Sequence, residues 1–251
     1  MGDVPRTLVW SYGGGIQTAA IAVLVREGVL PKPDLTVIAD TGREKQTTWD
    51  YLDGVMRPYL REIGIEIHIA PHTLATVDLY SHQGKLLIPA YTKEGKFPTY
   101  CAGEWKREVV SRWLRLQGVE QCNMWIGYSA DETSRVSDKD RREWIAQQFP
   151  LIDRLINRAM CFGLIRGAGL PVPQKSRCWG CPHQNDEEWQ EVAANPEEWG
   201  KAVELDRQIR EADEMDGLFL HSSRVPLEMA DLHGKGILPP SRPCETGMCW
   251  T

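Results

Sequence analysis

The sequence predicts an α/β protein organised on a parallel sheet. Continuous apolar runs of strand length recur through the first half of the chain, and segments with helical apolar spacing separate them. Glycine breaks or acidic turns close the runs. Strand–helix–strand spacing of this kind indicates right-handed βαβ units, which pair their strands in parallel.

The first run is Thr7–Tyr12. It is followed by Ile16–Glu27, where Ile16, Ala19, Ala20, Val23 and Leu24 share one helical face, and then by Gly28. Leu35–Asp40 is the second run, Thr47–Ile63 a second amphipathic helix with Pro58 kinking or dividing it, and Ile65–Ala70 the third strand. Residues 72–100 are rich in Gly, Pro, Lys and Tyr and read as a long excursion over the sheet edge, a kind of loop that is more often functional than decorative. A helix over 104–117 places Trp105, Val109, Trp113 and Leu116 on one face, and Asn123–Tyr128 is the fourth strand. Leu151–Gly167 is helical, as are the polar stretches 185–193 and 196–214. The expected division is an α/β domain over 1–150 and a helical, cysteine-rich region over 151–251.

The 251 residues are 42% apolar and 25% charged, as in ordinary globular proteins, and can bury one good core with an appended module. The formal net charge of −6 argues against a surface that grips a nucleic-acid backbone everywhere. Lys and Arg recur in 104–115 and 135–142, as local basic patches or plain solvated helix faces. No window approaches the roughly 18 uncharged apolar residues that span a membrane. No N-terminal apolar region suggests secretion, so the expectation is a cytoplasmic protein with no membrane partner.

In an open parallel sheet, ligands bind at the carboxyl ends of the strands. The loop after the first run, Gly13-Gly14-Gly15-Ile16-Gln17-Thr18, matches neither GxxxxGK[ST] nor GxGxxG. Its glycines still allow backbone N–H groups to approach a phosphate ahead of a helix N-terminus; a purely structural tight turn is the other reading. The second loop, Asp40-Thr41-Gly42-Arg43-Glu44, suits a hydroxyl or Mg²⁺ contact, or a helix cap. The fourth, Gly127 to Arg135, carries two acids and an arginine able to clamp a phosphate or sulfate oxygen.

Seven cysteines in such a chain point to metal or redox chemistry rather than a disulfide framework. Cys178 and Cys181 form a CxxC with Gly180 and Pro182 at the turn, Cys244 and Cys249 a second pair, and Cys101 stands alone. Cys122 and Cys161 have apolar neighbours and read as core. Four thiolates hold either structural zinc or an iron–sulfur cluster, and spacing does not separate the two. Trp179, Trp189, Trp199 and Trp250 are read as packing the C-terminal region, with base stacking as the sharper alternative.

Taken together, "SYGGGIQTAA", "ADTGRE", "CAGEWKREVV", "GYSADETSR", "FPLIDRLINRAMCFGLIRGAGLPVP" and "CWGCP" resemble, in order, the motifs of the phosphoadenosine-phosphosulfate (PAPS) reductase family within the PP-loop adenine-nucleotide α-hydrolase superfamily. The resemblance covers most of residues 7–182 and implies a Rossmann-like (HUP-type) sheet with helices on both faces. It implies that Gly13, Gly14, Gly15, Gln17 and Thr18 hold the phosphates of an adenine nucleotide, between Ser11 and Tyr12 on one side and Asp40, Thr41, Gly42 and Gly127 on the other. Tyr12 and Ile38 would help to form the base pocket, and Lys106 and Arg135 would neutralise phosphate or sulfate, giving Lys106, Arg135 and Asp40 as the catalytic set. With Gln17 where PP-loop enzymes carry Asp, Mg²⁺ would fall to Asp40 or Asp131. The resemblance also favours a [4Fe-4S] cluster on Cys101, Cys178 and Cys181, with Cys244 or Cys249 fourth and zinc as the alternative.

Three functions are compatible with these residues. One is an ATP-cleaving enzyme of the PP-loop type that supports sulfur transfer. Another is a reductase of PAPS or adenylyl sulfate with Cys249 or Cys244 as nucleophile, and the third is a nucleotide-sensing accessory of nucleic-acid modification. The corresponding partners are an adenine nucleotide, a sulfur donor or thiol reductant, a nucleic-acid substrate and a second copy of the chain.

Overall fold

The computed structural model describes residues 5–74, 79–80, 84–98, 100–136, 142–211 and 217–233. Along β1 (Thr7–Ser11) successive side chains point to opposite faces, and both faces are covered: Val9 and Trp10 are each fully buried. Trp10 packs with Ile38 and Trp125 in one cluster, whereas Val9 packs with Val37, Met124 and Ile126 in the other. This two-sided burial requires helices above and below the sheet.

The elements follow in the order expected. After β1 come α1 (Ile16–Arg26), β2 (Leu35–Ala39), α2 (Gln46–Tyr51), α3 (Arg57–Arg61) and β3 (Ile67–Ala70). The second half of the unit carries α4 (Glu108–Leu116), β4 (Cys122–Ile126), β5 (Ile145–Gln148) and α5 (Arg158–Gly167). All strand pairs are parallel, in the order β3-β2-β1-β4-β5. α1, α2, α3 and α5 supply one core cluster and α4 the other. The glycine loop after β1 therefore lies where the strand order reverses, between β1 and β4, the crevice at which such sheets bind ligands.

Three details differ from expectation. Residues 46–61 form α2 and α3 joined by a π-helical turn, Leu52–Met56, so Pro58 enters at the first turn of α3, where its missing N–H costs little. β5 was not anticipated: it is a short edge strand with only Ile145 fully buried, and its apolar signal is correspondingly weak. The helix expected over 151–167 begins only at Arg158, because Asn157 caps it by accepting from the Met160 N–H at 2.9 Å.

The described chain divides into two compact units, and the division does not follow the expected break near residue 150. Residues 102–176 belong with the sheet, since Leu151, Ile156, Cys161 and Ile165 pack against α1. The second unit takes 79–101 and 177–233 and contains α6 (Asp186–Ala193) and α7 (Pro196–Glu211). Within it, residues 217–233 have little regular structure and are held by buried polar groups. Asp206, fully buried on α7, accepts from the N–H groups of Leu220 and Leu227 at 2.9 and 3.0 Å and pairs with Arg210. His221 reaches Asp186 through Nε2 at 3.1 Å; its Nδ1 accepts from the Ser223 N–H at 3.2 Å, which assigns the Nε2–H tautomer. Trp189 is fully buried beside it. Trp250 lies outside the described residues.

No described helix is long and apolar enough to cross a membrane.

Replacing Asp206 with Ala strands two buried N–H groups and should cost about 2–4 kcal/mol of stability. Limited proteolysis should then cut within 217–233 before it cuts the sheet unit.

Candidate nucleotide and cysteine sites

Loop geometry at the carboxyl end of β1 depends on glycine at two positions. Gly14 has φ +73°, and a Cβ there would sit 2.7 Å from Thr48 Cγ2 of α2. A Cβ on Gly127, after β4, would sit 3.0 Å from Thr18 Cγ2 of α1. Glycines thus let the loops after β1 and β4 and the first turns of α1 and α2 close on one another. Ser176 completes this edge by donating to the Gly13 carbonyl at 2.6 Å.

The N-terminus of α1 is left open. Its N-cap, Gly15, offers no side-chain acceptor, and its first turn holds no acid. Thr18 Oγ1 turns back to donate to the Gly15 carbonyl at 2.9 Å. The first N–H groups of the helix consequently have no side-chain cap, at the positive end of the helix dipole.

Gln17 does something that its sequence position did not reveal. Its Nε2 donates to Glu132 Oε2 at 2.7 Å. The same carboxylate accepts from the Ser129 N–H and hydroxyl at 3.2 and 2.9 Å in a capping box, and its other oxygen pairs with Arg135 at 2.5 Å. Burial would raise the pKa of Glu132, but the Arg135 cation and the Ser129 donors outweigh it and hold the carboxyl below its usual range. Arg135 is itself buried, with its guanidinium 4.4 Å from the Tyr128 ring centre. Asp131 accepts from the Arg158 N–H at 3.1 Å at the start of α5.

The loop after β2 shows the same design. Asp40 accepts from the Gly42 N–H at 2.7 Å, and its other oxygen lies 3.3 Å from His72 Nδ1. Thr41 is buried, and its hydroxyl reaches Glu44 Oε1 at 3.4 Å. Lys106 pairs with that oxygen at 2.9 Å. Lys106 sits in a π-helical turn, Ala102–Arg107, that leads into α4, and the neighbouring Trp105 ring carries the Arg43 guanidinium at 4.5 Å. Lys45, one residue past Glu44, is almost fully buried at the start of α2.

The structure therefore brings Gly13, Gly14, Gly15, Gln17, Thr18, Gly127 and Arg135 to one edge, with Asp40, Thr41 and Gly42 on the loop beside it and Lys106 reaching that loop's Glu44 from the turn before α4. Ser11 ends β1, paired with Val37 and Ile126. Tyr12 and Ile38, expected to help to form a base pocket, both pack in the core cluster, where the Tyr12 ring lies edge-on to Trp10. Glu44, Lys45 and Glu132 are the residues that sequence reasoning missed.

In the second unit, Cys178 and Cys181 are half-buried on one tight turn, closed by the Cys181 N–H donating to the Cys178 carbonyl at 3.2 Å. A Cβ on Gly180 would lie 2.5 Å from Leu205 Cδ2 of α7, so a larger residue there would have to displace that side chain. The Cys178 side chain hydrogen-bonds to Cys181; despite burial, this contact, the Arg177 and Lys96 cations and the His183 N–H pull the Cys181 thiol down to about 6. Lys96 lies 2.8 Å from His183 Nδ1. Cys101 belongs to the same unit. Among the described residues no group of three or more His, Cys, Asp or Glu side chains is arranged to hold a metal ion. Cys244 and Cys249 lie outside the described residues. Cys122 and Cys161 are fully buried core residues, as expected, and burial pushes the Cys161 thiol up to about 12.

No family model matches the chain, and no curated protein matches it in sequence. Among solved structures, it is similar to the U34-tRNA thiolase NcsA from Methanococcus maripaludis with its [4Fe-4S] cluster. The identity is 14% and the TM-score 0.47, over 83% of this chain and 73% of that one.

Exchanging Gln17 for Glu should set two carboxylates against each other and cost about 2 kcal/mol at pH 7, since hydrogen bonds to charged groups contribute roughly 1.5–3 kcal/mol. Urea melts should show the deficit shrinking as acid protonates the new pair. In the wild type the sign is opposite: the Glu132 contribution is complete above its ordinary value of 4.5 and fades as pH falls below it. Alkylation of Cys181 in metal-free protein should reach half its maximal rate near pH 6, as read by mass spectrometry.

Proposed function

We propose that the chain is an adenine-nucleotide-dependent enzyme of the PP-loop type, which cleaves ATP between the α and β phosphates and serves sulfur transfer. The observation that carries this reading is the open N-terminus of α1 behind three glycines, at the point where the strand order reverses. The motif order from "SYGGGIQTAA" to "CWGCP" supports it.

In this reading an acceptor oxygen of the substrate attacks the α-phosphorus, the bond to the β-phosphate oxygen breaks, and pyrophosphate leaves. A sulfur nucleophile then displaces AMP from the adenylated substrate. The protein contributes position and charge. Backbone N–H groups of Gly14–Thr18 hold phosphate oxygens. Arg135 and Lys106 would stand beside them, each oriented by its carboxylate partner.

Among the described residues none form a Mg²⁺ site by themselves: Asp131 is engaged at α5 and Asp40 by Gly42 and His72. The cysteine pair does fit thiolate ligation, because the Cys178 contact and the Arg177 and Lys96 cations hold the Cys181 thiol below its ordinary range. Cys178 and Cys181, with Cys101, Cys244 and Cys249 as further candidates, would hold a [4Fe-4S] cluster or zinc. The cluster would supply the centre that carries the transferred sulfur. A nucleic acid is the proposed class of acceptor.

Reduction of PAPS or adenylyl sulfate is the second reading, and the depressed Cys181 thiol favours it, as a thiolate free of metal attacks sulfur. Gln17 does not separate the two, since its amide is committed to Glu132.

Anaerobically purified protein should release pyrophosphate from ATP and no sulfite from either sulfonucleotide; sulfite without pyrophosphate would transfer the assignment to the reductase. Arg135→Met and Lys106→Met should each lower pyrophosphate release by about 10²-fold or more. Metal analysis of the same preparation should give iron and acid-labile sulfide, and zinc alone would remove the cluster.

A further inference from the structure

Glu44 is the one acid at this sheet edge whose hydrogen bonding is incomplete among the described residues. Its side chain is 2% exposed. Oε1 takes Lys106 at 2.9 Å and the Thr41 hydroxyl at 3.4 Å, while Oε2 is buried with no hydrogen-bond partner. An ionised carboxylate only accepts, so Oε2 calls for a donor, and a buried acceptor left without one is costly enough that folded proteins seldom keep it without a functional reason. Neighbouring Asp40 is different, with both oxygens already engaged.

Position narrows the kind of donor. Glu44 follows β2, the strand directly beside β1 and its glycine loop. When phosphates sit on the loop after β1, the nucleoside extends across the end of β2, and an acid there meets a ribose hydroxyl. Charge narrows it further. Lys106 already balances Glu44, so a neutral donor completes the carboxylate without adding charge, whereas a phosphate on the ribose would be driven against it.

We infer that Glu44 reads a ribose hydroxyl of the bound nucleotide and thereby selects ligands whose ribose is unphosphorylated, ATP or adenylyl sulfate over 3′-phosphorylated nucleotides. The inference rests on the adenine-nucleotide reading above and deepens it.

Calorimetric titration of the full chain tests it, with ATP, 2′-deoxyATP, 3′-deoxyATP, AMP and adenosine 3′,5′-bisphosphate as probes. Wild-type protein should bind one deoxy analogue at least ten-fold more weakly than ATP, and the bisphosphate at least ten-fold more weakly than AMP. Glu44→Ala should bind ATP about ten-fold more weakly and lose the deoxy penalty. Glu44→Gln keeps the shape, and carries the same comparison if the alanine variant does not fold. Lys106→Met should retain the penalty. The inference is overturned if wild-type protein binds ATP and both deoxy analogues equally, or if the Glu44 variants keep the full penalty. It is also overturned if Lys106→Met abolishes the penalty as completely as Glu44→Ala, since Glu44 would then act only by orienting Lys106. Failure of every adenine nucleotide to bind would instead remove the nucleotide reading itself, and this inference with it.

Discussion

Two carboxylates at the sheet edge, Glu44 buried and Glu132 half-buried, impose the constraint on which that edge depends. A buried carboxylate destabilises a fold unless cations and hydrogen-bond donors surround it. Glu132 satisfies this with Arg135, Ser129 and Gln17, and so joins the loop after β4 to the first turn of α1. Glu44 does so through one oxygen only, with Lys106 and Thr41, joining the loop after β2 to the turn before α4. The side chains that orient the candidate ligand groups are therefore also the ones that hold the loops together.

This arrangement divides the electrostatic work. Arg135 and Lys106 each carry a carboxylate partner, so neither presents an isolated charge, and the N-terminus of α1 is left without a side-chain cap. A site made of neutral pairs and oriented backbone dipoles needs little rearrangement when charge shifts along a phosphate chain. It also accords with an acidic chain of net charge −6, in which attraction for anions has to be local rather than spread over the surface.

Much of the sheet was legible because continuous apolar runs such as "LTVIA" can be buried on both faces only in a parallel sheet. The edge strand β5 was not, since three of its four residues are incompletely buried and leave no hydrophobic signature. The glycine loop was legible as a close backbone approach between strand and helix, which φ +73° at Gly14 and its packing against Thr48 require. The role of Gln17 was hidden, because its partner lies 115 residues away and no local pattern links an amide in one loop to an acid in another. Glu44 was similarly disguised as an ordinary loop acid until folding placed Lys106 against it. The unit division was obscured by Leu151–Ile165, whose apolar residues complete the core of the sheet rather than starting a new one.

The π-helical turn Ala102–Arg107 gives one stretch of the chain a particular sensitivity to length. A π turn holds one residue more than an α turn, and such widenings persist in proteins mainly where a side chain must be aimed. Removing a single residue there would let the segment relax into an α-helix continuous with α4. Every side chain upstream would then rotate by about 100° about the helix axis. Lys106 would leave Glu44 and Trp105 would leave Arg43, although every residue of α4 would still face its core. Single-residue deletions here should thus be tolerated by the fold and rejected by the site, so that length, as well as the identity of Lys106, is a property this segment has to preserve.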